Sequence, residues 1–304
     1  MKYLILLITL IGCSSDYKVA NQGDIPHGDD TAIPVPDEET DTGTPDTEPP
    51  EEEEQEEEPP VGNPVAVCSV APNPVHPPIE TATWDGSASY DEDGYAIVAY
   101  DWSLMSKPVG SAIPAFHVSD ALVPDFQPDL AGEYVAKLVV TNELGETDTC
   151  DVILESIPAE DLWVEMYWTQ APDDMDLHLI NSANWVAALE TSNDCYYLNC
   201  TGGWGGSVEW GIPGDEDNPS LDLDDIYGTG PENINIEQPQ PTIFTVVVHD
   251  YTGSTPDTYD ANEVTVNIYT NGALQWTDTK LISGDGSYTP FCHIDWATQL
   301  ITGL

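Results

Sequence analysis

Hydrophobic residues open the chain as an unbroken run, then lose all pattern, then alternate with polar residues to the end. Residues 3–11 are apolar and follow the single positive charge of Lys2, the layout of a secretory signal that is too short to span a bilayer. From residue 14 to about residue 61 there is no periodicity of either kind. Pro, Thr, Asp and Glu dominate there, and residues 51–58 are glutamate apart from Gln55. Such a stretch cannot bury enough apolar surface to offset chain entropy, so it predicts a disordered acidic tether. Proline and like-charge repulsion favour extended conformations at about 3.1 Å per residue, a reach on the order of 100 Å.

Period two then takes over. Residues 64–67, 81–84, 97–102 and 133–141 read as strands, and Asn142-Glu143-Leu144-Gly145 as a hairpin turn. In the second half, 163–168 places Val164, Met166 and Trp168 on one face. Residues 174–180 alternate so that Met175, Leu177 and Leu179 face a core. Asp174, Asp176 and His178 then form a polar row that needs water, partners or a metal. Further strands fall at 244–249, 263–269 and 274–279, and no helix longer than a turn or two is evident. The pattern predicts an all-β fold of two β-sandwich domains, 62–157 and 158–304, behind a signal at 1–12 and a tether at 13–61.

Charge narrows the function. There are 56 acidic residues and five lysines, with no arginine. Residues 61–304 alone hold 39 acidic residues against Lys107, Lys137 and Lys280. Nucleic acid needs Lys and Arg to neutralise phosphates, so it is excluded as a partner. Direct adhesion to anionic headgroups is excluded on the same ground. So acidic a surface repels itself and calls for counter-ions or bound divalent cations. No G-x-S-x-G, H-E-x-x-H or phosphate-cradling motif occurs, and chance pairs among so many carboxylates are no evidence for a glycosidase. The chain is expected not to be an enzyme.

Cys13, preceded by Leu10-Ile11-Gly12 and followed by Ser14-Ser15-Asp16, resembles the lipobox of bacterial lipoproteins. The resemblance implies cleavage before Cys13, acylation of its thiol and anchoring in the bacterial cell envelope, at the outer membrane or cell surface. Each buried methylene contributes about 0.8 kcal/mol, and two or three acyl chains give a stable anchor.

Asp85-Gly86-Ser87-Ala88-Ser89-Tyr90-Asp91-Glu92-Asp93-Gly94, Tyr100-Asp101-Trp102, Ala131-Gly132-Glu133-Tyr134 and Leu138-Val139-Val140-Thr141-Asn142 resemble the PKD (polycystic kidney disease) domain. This implies an immunoglobulin-like sandwich used as a spacer or binding module. A sandwich would bring Cys68, on the first strand, close to Cys150, beyond the last hairpin, so a disulfide is expected. It would contribute roughly 3–5 kcal/mol by constraining the unfolded chain. Asp85, Asp91 and Asp93 either hold a calcium ion or simply make turns.

In the second domain, Asp174 to His178, the acidic run from Asn218 to Asp225, Gly230-Pro231-Glu232-Asn233-Ile234 and Val246 to His249 resemble, in that order, the YfaP-like group of bacterial extracytoplasmic β domains. The resemblance implies a jelly-roll or immunoglobulin-like sandwich and carries no established chemistry. Asp174, Asp176, Asp222, Asp224, Asp225 and Glu232, with Asn233, form an oxygen-rich set suited to calcium. The other reading is an acidic protein displaying acids on loops. His178 and His249 fall on strands, either facing each other or hydrogen-bonded within the sheet. Trp185, Trp204, Trp210, Tyr196 and Tyr197 lie in a Gly-rich neighbourhood. Trp204 and Tyr196 are the candidates for stacking on a polysaccharide, with core packing as the alternative. Cys195 and Cys200 pair with each other, or one of them pairs with Cys292. The whole reads as a non-catalytic interaction or structural module whose partners are the membrane, through its anchor, and an envelope protein or polysaccharide.

Overall fold

Alternation along the first half of the chain produces nine strands: β1 (Pro64–Val65), β2 (Ser69–Ala71), β3 (Ala82–Asp85), β4 (Tyr90–Asp91), β5 (Ile97–Ser106), β6 (His117–Val118), β7 (Leu122–Phe126), β8 (Gly132–Asn142) and β9 (Thr147–Ser156). In this computed structural model the described residues are 60–171, 173–201, 207–214, 216–252, 261–284 and 286–304. Cys13, nearly all of the tether and Trp204 therefore lie outside them.

The strands form a four-stranded sheet β6-β5-β8-β9 and a three-stranded sheet β2-β3-β7, with β1 and β4 as a separate pair. Tyr134, Ala136, Leu138 and Val140 of β8 are buried on one face, as period two requires. They share a core with Trp84, Trp102 and Phe126, where Trp84 stacks on Phe126 at 4.6 Å between centroids. The Tyr134 hydroxyl donates to Asp129 Oδ1 at 2.8 Å and accepts from the Leu130 N–H at 3.1 Å. This local loop resembles the tyrosine corner of immunoglobulin-like sandwiches. A disulfide joins Cys68 to Cys150.

The second half supplies β10 (Leu162–Trp168), β11 (Met175–Ile180), the one-turn α1 (Trp185–Ala188), β12 (Asp194–Cys195), β13 (Ser220–Leu223), β14 (Glu232–Ile236), β15 (Ile243–Asp250), β16 (Asn262–Thr270), β17 (Ala273–Ile282), β18 (Tyr288–Asp295) and β19 (Leu300–Gly303). They build two five-stranded sheets, β13-β14-β10-β16-β17 and β12-β11-β15-β18-β19. Val164, Met166 and Trp168 meet Met175, Leu177, Leu179, Val246 and Val248 in the core between them. The protein is thus all-β, with two sandwiches. Both belong to one compact unit, Glu58–Leu304.

Both faces of β10 are largely buried, with only Tyr167 partly exposed. Its outward Trp163 and Glu165 are fully buried, and Glu165 lies at the junction with the first sandwich. Glu165 Oε1 accepts from Tyr269 OH at 2.9 Å and Asn267 Nδ2 at 3.0 Å. Its Oε2 accepts from Trp163 Nε1 and the Ala131 N–H, both at 3.3 Å. Burial still pushes this carboxyl above the usual range. Gly110 approaches the Tyr167 ring so closely that a Cβ there would sit 2.2 Å from it, which only glycine permits.

Candidate functional site

The polar row on β11 does not reach solvent. The segment following that strand folds over it, and Ala188 of α1, with Trp185 and Leu189 beside it, packs against Ile180 and Val247. Beneath this cover each histidine takes a carboxylate partner. His178 Nδ1 lies 2.8 Å from Asp194 Oδ2, and His249 Nδ1 lies 3.2 Å from Asp176 Oδ2. The rings pack among tyrosines, with His178 stacked on Tyr196 at 4.9 Å and His249 on Tyr288 at 4.1 Å. The two rings also meet edge to face, 5.9 Å between centroids, so the histidines both face one another and bond to carboxylates within this layer.

At the end of this row, loops from both sheets converge. Asp176, Asp224 and Glu232 bring one carboxylate oxygen each to within 4.8 Å of one another. Alternation on β14 points Glu232 inward with Ile234 and Ile236, a core position for a carboxylate. Its Oε2 accepts the Leu177 N–H at 2.8 Å. Strand β12 pairs with β11 only at Leu179 and Ile180, so Glu232 occupies the open edge of β11 where another strand would otherwise bond. Asp174 adjoins the group and lines one pocket with Asp176, Tyr197, Asp224, Ile226 and Tyr251. It is 6% exposed, and its Oδ1 is buried without a hydrogen-bond partner.

Charge in the pocket is uncompensated by any basic side chain among the lining residues. Burial, then the neighbouring carboxylates Asp176, Asp224 and Asp225, push the Asp174 carboxyl up to about 7. Burial, then Asp176, raise Glu232 well above its ordinary value. Asp224 is raised by the same two causes. Carboxylates held this close must take up protons or a cation.

Two members of the expected set stand elsewhere. Asp222 accepts from Ser220 Oγ at 2.6 Å and Asn235 Nδ2 at 2.7 Å. Strict alternation would put Asp222 and Asp224 on one face, but the register shifts between Leu221 and Leu223, and a bulge re-aims the residues beyond it. Asn233 follows Glu232 and so faces the other way, in register with Glu165. Asp225 is near, yet its carboxylate holds the loop, accepting N–H groups from Tyr227 (3.2 Å), Gly228 (2.9 Å) and Gly230 (2.9 Å). In the first sandwich, Asp85 accepts the Ser87 N–H at 2.8 Å and Asp91 the Asp93 N–H at 2.9 Å. These are the bonds of turn-makers, and Asp85, Asp91 and Asp93 do not gather into a ligand set among the described residues.

The aromatic candidates also redistribute. Tyr196, expected to offer its face to a ligand, is buried against His178, and Trp210 stacks on Phe244 at 5.9 Å within the core. Trp185 packs at the small outer core. Tyr197, partly exposed, lines the pocket opposite Tyr251, with ring centroids 5.7 Å apart. Sequence reasoning missed Tyr251, although period two from His249 puts it on the same face. Asp194 and Tyr288 carried no such signal. Cys195 is bonded to Cys200, and Cys292 is a buried free thiol whose pKa burial pushes up to about 12.

No protein-family model matches the chain, and the search of curated proteins returns no match. A solved structure described as "Structural basis for the promiscuous specificity of the carbohydrate-binding modules from the beta-sandwich super family" aligns over 75% of this chain and 83% of its own, at 11% identity and a TM-score of 0.27. So slight a likeness has no bearing on function.

Proposed function

We propose that this protein is a non-catalytic, lipid-anchored module of the bacterial cell envelope whose second sandwich holds a calcium ion at the acidic pocket. The observation that carries the cation reading is the approach of Asp176, Asp224 and Glu232 to within 4.8 Å beside the buried, unpartnered Asp174 Oδ1. The three converging ligands and the Asp174 oxygen beside them are hard donors, which suit calcium and not the softer transition metals. Asp176 comes from one sheet, Glu232 from the other and Asp224 from the loop after β13, so the ion would clamp the two sheets together at this end. The role is structural: it presents the pocket on a rigid frame at the end of an acidic spacer. The lipobox-like Cys13 and the apolar run before it support the anchor.

Thermal melting of the full-length chain with calcium and with chelator tests the cation. A higher midpoint in calcium is expected, and equal midpoints would refute it. Mass spectrometry of the protein purified from bacterial membranes tests the anchor, which predicts an acylated Cys13; an unmodified thiol there would overturn it.

A further inference from the structure

We infer that the calcium-loaded pocket binds a neutral glycan, coordinating a pair of adjacent hydroxyl groups directly through the metal. This rests on the calcium reading above and adds the ligand class of the same site.

Calcium takes six to eight oxygens. Glu232 Oε2 is committed to the Leu177 N–H at 2.8 Å and Asp176 Oδ2 to His249 at 3.2 Å. Glu232 Oε1 accepts the Asp225 N–H only at the longer 3.4 Å, so that oxygen and the second oxygen of Asp176 are the ones that turn to the ion. With Asp224 they make the three ligands that converge, and the unpartnered Asp174 Oδ1 lies beside them, so the acidic side supplies about three or four ligands and leaves two or more positions for oxygens that enter through the mouth.

Three converging carboxylates, with Asp174 beside them, leave the site negative around a doubly charged cation, on a surface that is itself strongly acidic. Uronates, phosphates and peptide carboxylates are repelled from such a site. Neutral oxygen donors are not, and adjacent sugar hydroxyls offer two donors at once, so they replace two waters together.

The wall of the pocket is aromatic and apolar. Tyr197 and Tyr251 stand edge to face at 5.7 Å, and Ile226, 47% exposed, completes the lining. Tyrosine presents a rigid apolar face with a polar tip, suited to the C–H surface and hydroxyl rim of a sugar. The pocket is about 160 Å³, well below the range of drug-sized sites, which suits one sugar ring and not a longer segment.

The test is retention of the full-length chain on immobilised mannan, galactan and dextran, in calcium and in chelator, beside a terbium luminescence titration that reads the cation site alone. Retention in calcium and release by chelator are expected. Tyr197→Ala should lower retention about tenfold, the worth of one aromatic contact. Terbium binding without retention on any of the three glycans overturns the glycan inference and leaves the calcium reading standing. Absence of terbium binding overturns both. Retention that persists in chelator overturns coordination through the metal.

Discussion

Glu232→Gln should make the cation-free protein more stable while abolishing its response to calcium. A buried carboxylate that served only as a hydrogen-bond acceptor would behave in the opposite way. The Gln carbonyl can still accept the Leu177 N–H; its amide replaces Oε1, giving up only the long 3.4 Å contact from the Asp225 N–H, and faces Asp176 and Asp224, turning a repulsion into a donor contact. Two unit charges 4.8 Å apart repel by roughly 3.5 kcal/mol at an effective dielectric of about 20. Asp224 is exposed, and protons taken up by the cluster relieve part of the strain, so the net gain is about 1–2 kcal/mol. For a unit of this size about 2–4 °C accompany each kcal/mol, giving a rise of roughly 2–8 °C in chelator at pH 8. Wild type should gain about 2.7 kcal/mol from calcium at a hundredfold excess over Kd, and the variant almost none. Scanning calorimetry of both proteins, with calcium and with chelator, supplies the four midpoints. A variant that melts below wild type in chelator yet keeps the full calcium increment would refute the reasoning.

Three other outcomes follow from the structure. Replacing Cys68 and Cys150 by serine opens a link across 82 residues and should cost about 4–5 kcal/mol in denaturant unfolding under oxidising conditions; a loss under 1 kcal/mol would count against the staple. Glu165→Ala strands the Trp163, Asn267, Tyr269 and Ala131 donors and should cost about 2–4 kcal/mol by the same assay, whereas a neutral result would mean that the junction tolerates unpaired donors. Asp174 binds its proton more tightly in the folded protein, at about 7 against 3.8. Its contribution in chelator is therefore full below pH 3.8 and lost as pH rises through about 7. The stability difference between wild type and Asp174→Asn should track that window, and a pH-independent difference would contradict it.

What the sequence disclosed followed the reach of each signal. Period two located β10 and β11 and assigned their core faces, because Val164, Met166, Trp168 and Met175, Leu177, Leu179 are strict alternations buried on one side. It also set Asp174 and Asp176 in a polar row, while the acidity of the loops, not any period, brought Asp224 and Glu232 under suspicion. It did not separate Asp222 from Asp224, because the bulge at Leu221–Leu223 has no signature in so acidic a run. The cover over His178 escaped as well, since the segment after β11 has no period and its contacts to Asp194 and Tyr196 depend on how the chain folds back. The four donors of Glu165 come from both sandwiches, and nothing local to β10 announces them.

Isothermal titration of the full-length chain with calcium chloride reads the ion at the pocket without an intermediary. At about 0.15 M salt the Debye length is about 8 Å, so diffuse attraction to the acidic surface is screened and a discrete site stands out. The account predicts saturable binding of one ion per chain, lost in Asp224→Asn, whose exposed position spares the fold. An unsaturable response identical in the two proteins would contradict it.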